Sequence, residues 1–362
     1  MNNTIKYDGL FAFHPGSYIE DTIEDLNITQ KEFAERLDIN PKVLSELVNG
    51  ETSLSPEVAL KLEKLTGVEY QSWMNLQNTY ERKRLEIEKK MLEDEEKVAR
   101  LIDLKYFKIH GFVEDKRYSF KEKIKELRNI LNISNLCYLI NFNPAVSYRN
   151  VSEFDEDTII NSNVMLEIAT NVARNKTDNK LNKNKLEESL PLIRGMLNKP
   201  DVNFYPELKR ILLDCGIVLV GLPKLKNSGL QGATKKFKNG SVMLLITDRN
   251  KKADIFWFSL MHEIAHILYN DFYTDREDED SYKLKEDRAD KWASEFFIKE
   301  DAYNKFVDNK DFSKKSIEEF SKNSDILPCI LTGRLKKDGH LNYNEFNEFT
   351  IQYKFLLNWR IW

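Results

Sequence analysis

Two histidines and a glutamate, in His262-Glu263-Ile264-Ala265-His266, are the residues best placed by type and spacing to do chemistry. An α-helix turns about 100° per residue, so positions four apart lie one above the other and both imidazoles can reach a single metal ion. Glu263 projects beside that ion and can take a proton from a water bound there, the work of a general base in metal-assisted hydrolysis. A catalytic zinc keeps one coordination position open and needs a third protein ligand. The segment Glu286-Asp287-Arg288-Ala289-Asp290 offers one, with Glu286 and Asp290 again four apart. One carboxylate can bind metal while the other fixes a ligand imidazole from outside the coordination shell. Glu286 is the expected ligand and Asp290 the outer partner, with Asp287 and Asp290 near enough in sequence to take the ligand's place. The competing reading is an ordinary core helix that happens to carry two histidines. Against it stand the downstream Glu-x-x-x-Asp and the fact that two of only five histidines fall in this one motif.

These residues need helices and a sheet to position them. Phe256, Leu260, Ile264, Ile267 and Leu268 fit an apolar helical stripe, and no proline occurs between Asp254 and Asp271. A second helix is expected through Trp292, Ala293, Phe296 and Phe297. Upstream, Ile217 to Val220, Gly232 to Phe237 and Ser241 to Thr247 read as strands, the last two joined by a hairpin turn at Asn239-Gly240. The strand just before the metal helix is expected to lie along the cleft and bind a substrate backbone by strand addition. Its Met243 and Leu245 would face one side, Leu244 and Ile246 the other. The acidic run from Asp275 to Asp280 reads as a solvated loop.

From about Cys215 onward the chain resembles the ImmA/IrrE family of zinc metallopeptidases. The resemblance rests on the two metal segments with Phe256-Trp257-Phe258 and Ala289-Asp290-Lys291-Trp292-Ala293 around them. Gly216 to Val220 and Gly232-Ala233-Thr234 upstream, and Thr332-Gly333-Arg334-Leu335 with His340 downstream, complete it. It implies a zincin-like α+β domain with Zn2+ held by His262, His266 and Glu286, Glu263 as general base, and proteins, often transcriptional repressors, as substrates. Many members carry an acidic residue where this chain has Arg288. Arg334, His340 and Tyr343 are candidate oxyanion stabilisers, and His340 is included with Glu263 among the expected catalytic residues.

The first eighty residues read differently, as short helices joined by tight turns. Thr29 with Glu32 forms a capping-box variant, Asn40 caps the next helix with Pro41 at its first position, and Asn49-Gly50 ends it with a left-handed cap. Phe33, Ala34 and Leu37, then Val43, Leu44, Leu47 and Val48, are expected to face inward. Two such helices make a helix-turn-helix, and Ser55-Pro56 starts a further helix that stops at Thr66-Gly67. His14-Pro15-Gly16, Leu47 to Gly50, Ser53 to Pro56 and Trp73 to Gln77 resemble the HigA branch of the Xre superfamily of repressors and antitoxins. That resemblance implies a dimer whose second helix presents Asn40, Lys42, Ser45, Glu46 and Asn49 to the bases of a DNA operator. Charge argues partly the other way: residues 1–80 carry six basic and thirteen acidic side chains, net −7. Phosphate contacts supply much of protein–DNA affinity, so binding would run through a local basic face of Lys31, Arg36 and Lys42.

At 362 residues, with 31% charged and 41% hydrophobic side chains, the chain is expected to be soluble and multidomain. No apolar run approaches the roughly 20 residues that span a bilayer. The start lacks the apolar core of a secretory signal, and three scattered cysteines suit free thiols, so a cytoplasmic protein without membrane contact is expected. Glu81 to Lys97 reads as a long exposed helix with a stripe of Leu85, Met91, Leu92, Val98, Leu101 and Ile102. The same stripe is a candidate dimer seam. Helical patterns follow at Lys121 to Leu131, Val164 to Ala173 and Lys185 to Leu197. By resemblance this middle region is the helical insert of longer fused proteins. The expected fold is mainly α with an α+β part: a helix-turn-helix bundle at 1–80, a helical middle at 81–205, the metallopeptidase domain at 206–312 and an extension at 313–362 packing on it. Function is expected to be that of a DNA-binding regulator carrying a zinc endopeptidase that cleaves a protein such as a repressor. The alternative is an antitoxin that represses its own promoter and neutralises a toxin, zinc being structural or sensory.

Overall fold

The computed structural model describes residues 3–141, 155–197, 203–272 and 279–355. It falls into two compact units, Met1–Lys97 and Val98–Trp362.

The first unit opens with β1 (Thr4–Tyr7) and β2 (Leu10–Phe13), paired antiparallel about Asp8 and Gly9. Both turn residues have left-handed φ, 46° and 76°, as a two-residue hairpin demands. Four short helices follow: α1 (Pro15–Asp25), α2 (Gln30–Arg36), α3 (Pro41–Val48) and α4 (Pro56–Thr66). Their starts are the ones the sequence specifies. Thr29, Asn40 and Ser55 each accept a backbone N–H with the side chain, and Gly50 and Gly67 are left-handed at φ 73° and 74°. Only half of the expected capping box forms, because the Glu32 carboxylate turns to Arg36 at 2.6 Å. Ile19, Phe33, Ala34, Leu37, Leu44, Leu47, Leu62 and Trp73 make the core. Val43 is an exception to the expected inward face. It is 41% exposed, since one residue before Leu44 on a helix is rotated about 100° away from the core.

Helix α5 runs from Tyr70 to Leu101. Of the stripe expected here, Val98 and Ile102 are buried, while Leu85 and Leu92 are 58% and 44% exposed, as on a long exposed helix; Ile87 is buried as well. In a helix this rich in charge, the apolar residues outnumber the sites that a neighbouring element covers.

The second unit contains α6 (Leu104–Ile109), α7 (Phe120–Leu131), α8 (Glu156–Ala173), α9 (Lys183–Gly195) and α10 (Tyr205–Asp214). Then come β3 (Ile217–Leu222), β4 (Gly232–Lys236) and β5 (Val242–Thr247). Helices α11 (Ala253–Tyr269), α12 (Glu279–Phe297), α13 (Glu300–Asp308), α14 (Lys314–Asn323) and α15 (Pro328–Lys337) complete it. The sheet order is β3-β5-β4, with β3 parallel and β4 antiparallel to β5. This corrects one expectation. The strand before the histidine-bearing helix, β5, is the middle strand and has both edges paired; β4 is an edge strand.

The sheet separates two cores by strict alternation. Ile217, Leu219, Val242, Leu244 and Ile246 pack with residues of α9 to α15. Val218, Val220, Met243 and Leu245 pack with α7 and α8. Each such aliphatic side chain contributes about 1.5–3 kcal/mol on leaving water. The helical middle therefore shares its core with the sheet, and the boundary expected at residue 206 falls inside a continuous interior. Ile317, Leu331, Leu335 and Leu341 belong to the first of these cores, which is where the C-terminal segment packs. The aromatic tail after residue 355 lies outside the described residues. Among the described residues no helix is long and apolar enough to cross a membrane.

Candidate functional site

Helix α11 is buried on nearly every side, which holds its polar residues rigidly. His262, Glu263 and His266 are 1%, 3% and 0% exposed. The helix ends at Asn270 in a left-handed cap, so the chain turns sharply after the second histidine. Helix α12 then packs against α11 and brings Glu286 to the two imidazoles. Glu286 Oε2 lies 3.3 Å from His262 Nε2, and Oε1 lies 3.3 Å from His266 Nε2. The two Nε2 atoms are 2.8 Å apart. Among the described residues these three form the one cluster whose ligand atoms lie within 4.8 Å of one another.

The donor set fits zinc. His262 Nδ1 is 2.8 Å from Asp290 Oδ1, so its proton is directed outward and Nε2 presents a lone pair to the cluster. Two imidazole nitrogens and a carboxylate converging in a buried place, with no fourth protein ligand among the described residues, are the donors of a zinc site with an open position. Glu263 packs against Gly232 on β4, where an added Cβ would lie 2.5 Å from Glu263 Oε1. Asp287 is exposed and outside the cluster.

Beside the cluster lies a cleft of about 750 Å³ whose walls include Gln231, Phe258, Tyr282, Glu286, Asp290 and Arg334. Asp254 also lines it, and burial pushes its carboxyl above the usual carboxylate range. Arg334 is committed to packing: its guanidinium lies 3.7 Å over the Tyr303 ring and donates to the Ile298 carbonyl at 3.2 Å. Tyr343 lines the cleft and is exposed. His340 does not line it; the residue is exposed after α15, its ring 5.9 Å from Phe312.

Sequence reasoning missed Asp271. It is buried, with Oδ2 4.0 Å from His266 Nδ1, and Arg288 grips both its oxygens at 2.6 and 2.7 Å. Its signal was a carboxylate immediately past the asparagine that caps α11. Gly232 carried a signal too, since a glycine inside a strand marks the close approach of another group.

The helix-turn-helix surface is the second candidate site. Lys31, Arg36, Asn40, Lys42 and Asn49 are exposed, while Ser45 and Glu46 are half-buried. Each cation of the expected basic face has an acidic neighbour one helical turn away: Lys31 with Glu35 at 4.0 Å, Arg36 with Glu32 at 2.6 Å, Lys42 with Glu46 at 3.6 Å. Asn40 Oδ1 accepts the Lys42 N–H at 2.8 Å, and Asn49 Nδ2 reaches Ser45 Oγ at 3.4 Å.

Residues 19–73 match the helix-turn-helix family. An uncharacterized HTH-type transcriptional regulator, YddM, of Escherichia coli (strain K12) is 39% identical over 66 residues, 18% of this chain and 70% of that protein. Virulence-associated protein I of Dichelobacter nodosus is 28% identical over 82 residues, 22% of this chain and 76% of that protein. A crystal structure from Nostoc punctiforme, described as an antidote protein of a plasmid maintenance system, is 32% identical, with a TM-score of 0.22 covering 23% of this chain and 92% of that one. The chain belongs, through these residues, to the helix-turn-helix family.

Proposed function

We propose that this chain is a helix-turn-helix regulator whose second unit is a zinc-dependent endopeptidase of the ImmA/IrrE type, acting on a protein substrate such as a repressor. The observation that carries the reading is the buried convergence of His262, His266 and Glu286, with Glu263 in the helical turn that bears both histidines. Zinc held by these three residues would supply Lewis acidity, polarising the scissile carbonyl and bringing the pKa of water toward about 7. Glu263 takes a proton from the attacking water on a carboxylate oxygen and passes it to the departing amine nitrogen. Asp290 holds the His262 ring by its Nδ1 proton, which keeps Nε2 a donor of electron density throughout. Edge strand β4, which carries Gly232 against Glu263, is the strand placed to receive an extended peptide by backbone pairing.

The helix-turn-helix directs the chain to a DNA operator, as a homodimer, through α3 with Asn40, Lys42, Ser45 and Asn49. A second reading has a specific observation in its favour. With Lys31, Arg36 and Lys42 each beside an acidic neighbour, the first unit is suited to docking a protein, a toxin in the antitoxin alternative. Metal analysis of the purified chain, with and without His262→Ala, tests the enzyme reading. One zinc per chain, lost in the variant, supports it; wild-type protein that takes up no zinc ends it.

A further inference from the structure

Each ligand imidazole of the proposed zinc centre is followed by a carboxylate and then a cation. On one side His262 Nδ1 is 2.8 Å from Asp290, whose other oxygen is 3.3 Å from Lys337 Nζ. On the other, His266 Nδ1 is 4.0 Å from Asp271, and Arg288 holds both Asp271 oxygens at 2.6 and 2.7 Å. The two arms are unequal. Asp290 sits within hydrogen-bond distance of its imidazole and has a loose, exposed cation, whereas Asp271 is drawn onto its arginine and stands off from the ring.

Asp271 is fixed for this position by the fold. Its backbone N–H donates to the His266 carbonyl at 2.8 Å, just past the left-handed Asn270, so the side chain hangs beside the imidazole of the same turn. The carboxylate is 5% exposed and must find donors inside the protein. Arg288 reaches it from α12, two residues past the proposed ligand Glu286, with its guanidinium 4.3 Å over the Tyr269 ring.

We propose that Asp271 is the outer partner of His266 and that Arg288 restrains it, so that this pair sets how tightly the centre holds its metal. The inference rests on the zinc reading of the site. A carboxylate whose two oxygens are both held by the Nη2 of an arginine accepts less strongly from an imidazole N–H. Without the arginine, the carboxylate is left to turn to His266 Nδ1, 4.0 Å away, and a better-supported imidazole is a stronger ligand. The two substitutions therefore act with opposite signs, whereas a merely structural role would make both weaken the site.

The test uses the full chain stripped of metal and titrated with zinc against a chelating indicator, with circular dichroism to confirm folding. Asp271→Asn should weaken zinc binding about 10-fold, the lower end for outer-shell partners. Arg288→Gln should tighten it by about 3-fold, and this gain should vanish when Arg288→Gln is made together with Asp271→Asn. Unchanged or weaker binding by Arg288→Gln overturns the proposal, as does a gain that persists in the double variant. Should Asp271→Asn fail to fold, the sign of the Arg288→Gln effect decides alone. Failure of the wild-type chain to bind zinc is a separate result, which removes the underlying reading of the site.

Discussion

Gly232 and Glu263 occupy adjoining space that no side chain at residue 232 could share: a Cβ there would lie 2.5 Å from Glu263 Oε1 and 2.8 Å from its Cγ. Gly232→Ala must displace the glutamate while leaving the three proposed ligands untouched. The expected outcome is full zinc content and roughly 100-fold slower peptide hydrolysis, the size of effect that follows a misplacement of about 1 Å. Metal analysis and a cleavage assay on the same preparation check it; loss of zinc together with activity would place the damage at the ligands instead.

Glu263→Gln keeps the size of the side chain and removes the base. Zinc should remain, with hydrolysis lowered by about 10² to 10⁴-fold, the usual worth of a positioned general base. Equal cleavage by wild type and variant would assign the proton transfer to another residue.

His14 makes the first unit sensitive to acid. Its Nδ1 accepts the Gly16 N–H at 3.0 Å as the cap of α1, and burial lowers the affinity of the ring for a second proton. The folded state thus binds that proton less readily than the unfolded chain. Stability is complete above about pH 6.5, falls as the pH drops below that value, and levels off only beneath the lowered folded pKa. Protection factors of the α1 amides in the full chain, taken relative to their intrinsic exchange at each pH, should fall over this range in wild type, and that fall should disappear in His14→Asn, which can still cap the helix.

Operator binding, if it runs through α3, should show a shallow salt dependence because few phosphates meet an uncompensated cation. A log–log slope of roughly −3 to −5 for a dimer is expected, against about −10 for a large repressor. Asn40 is both the cap of α3 and a proposed base contact. Asn40→Ser retains the cap, so blurred sequence preference in that variant would report lost base contact, whereas Asn40→Ala would add about 1 kcal/mol of helix destabilisation. No retention of the promoter fragment even at low salt would favour the protein-docking reading.

Much of this was legible in the sequence because local rules decided it. Caps at Thr29, Asn40 and Ser55, the Asn239-Gly240 turn and the alternation along residues 242 to 246 depend on nearest neighbours, and they appear where expected. The β1–β2 hairpin carries one local signal, Asp8-Gly9, and its strands of four residues are too short to show a clear alternation. Strand order was not legible. That β5 lies between β3 and β4 depends on a parallel crossover, which spacing along the chain does not fix. Arg288 shows the same limit at the site: its type looked like a departure from the family pattern, and only the fold reveals Asp271 as its counterpart.

Every residue of β5 is buried, with successive side chains committed to opposite interiors. The strand is a party wall, and neither room can be taken down alone. A shortened chain beginning near residue 206 would keep the metal helices yet turn Val218, Val220, Met243 and Leu245 toward water. Such a fragment would be sticky and poorly folded even with every proposed zinc ligand present. The helical middle and the helices that carry the proposed ligands thus stand or fall together as one block.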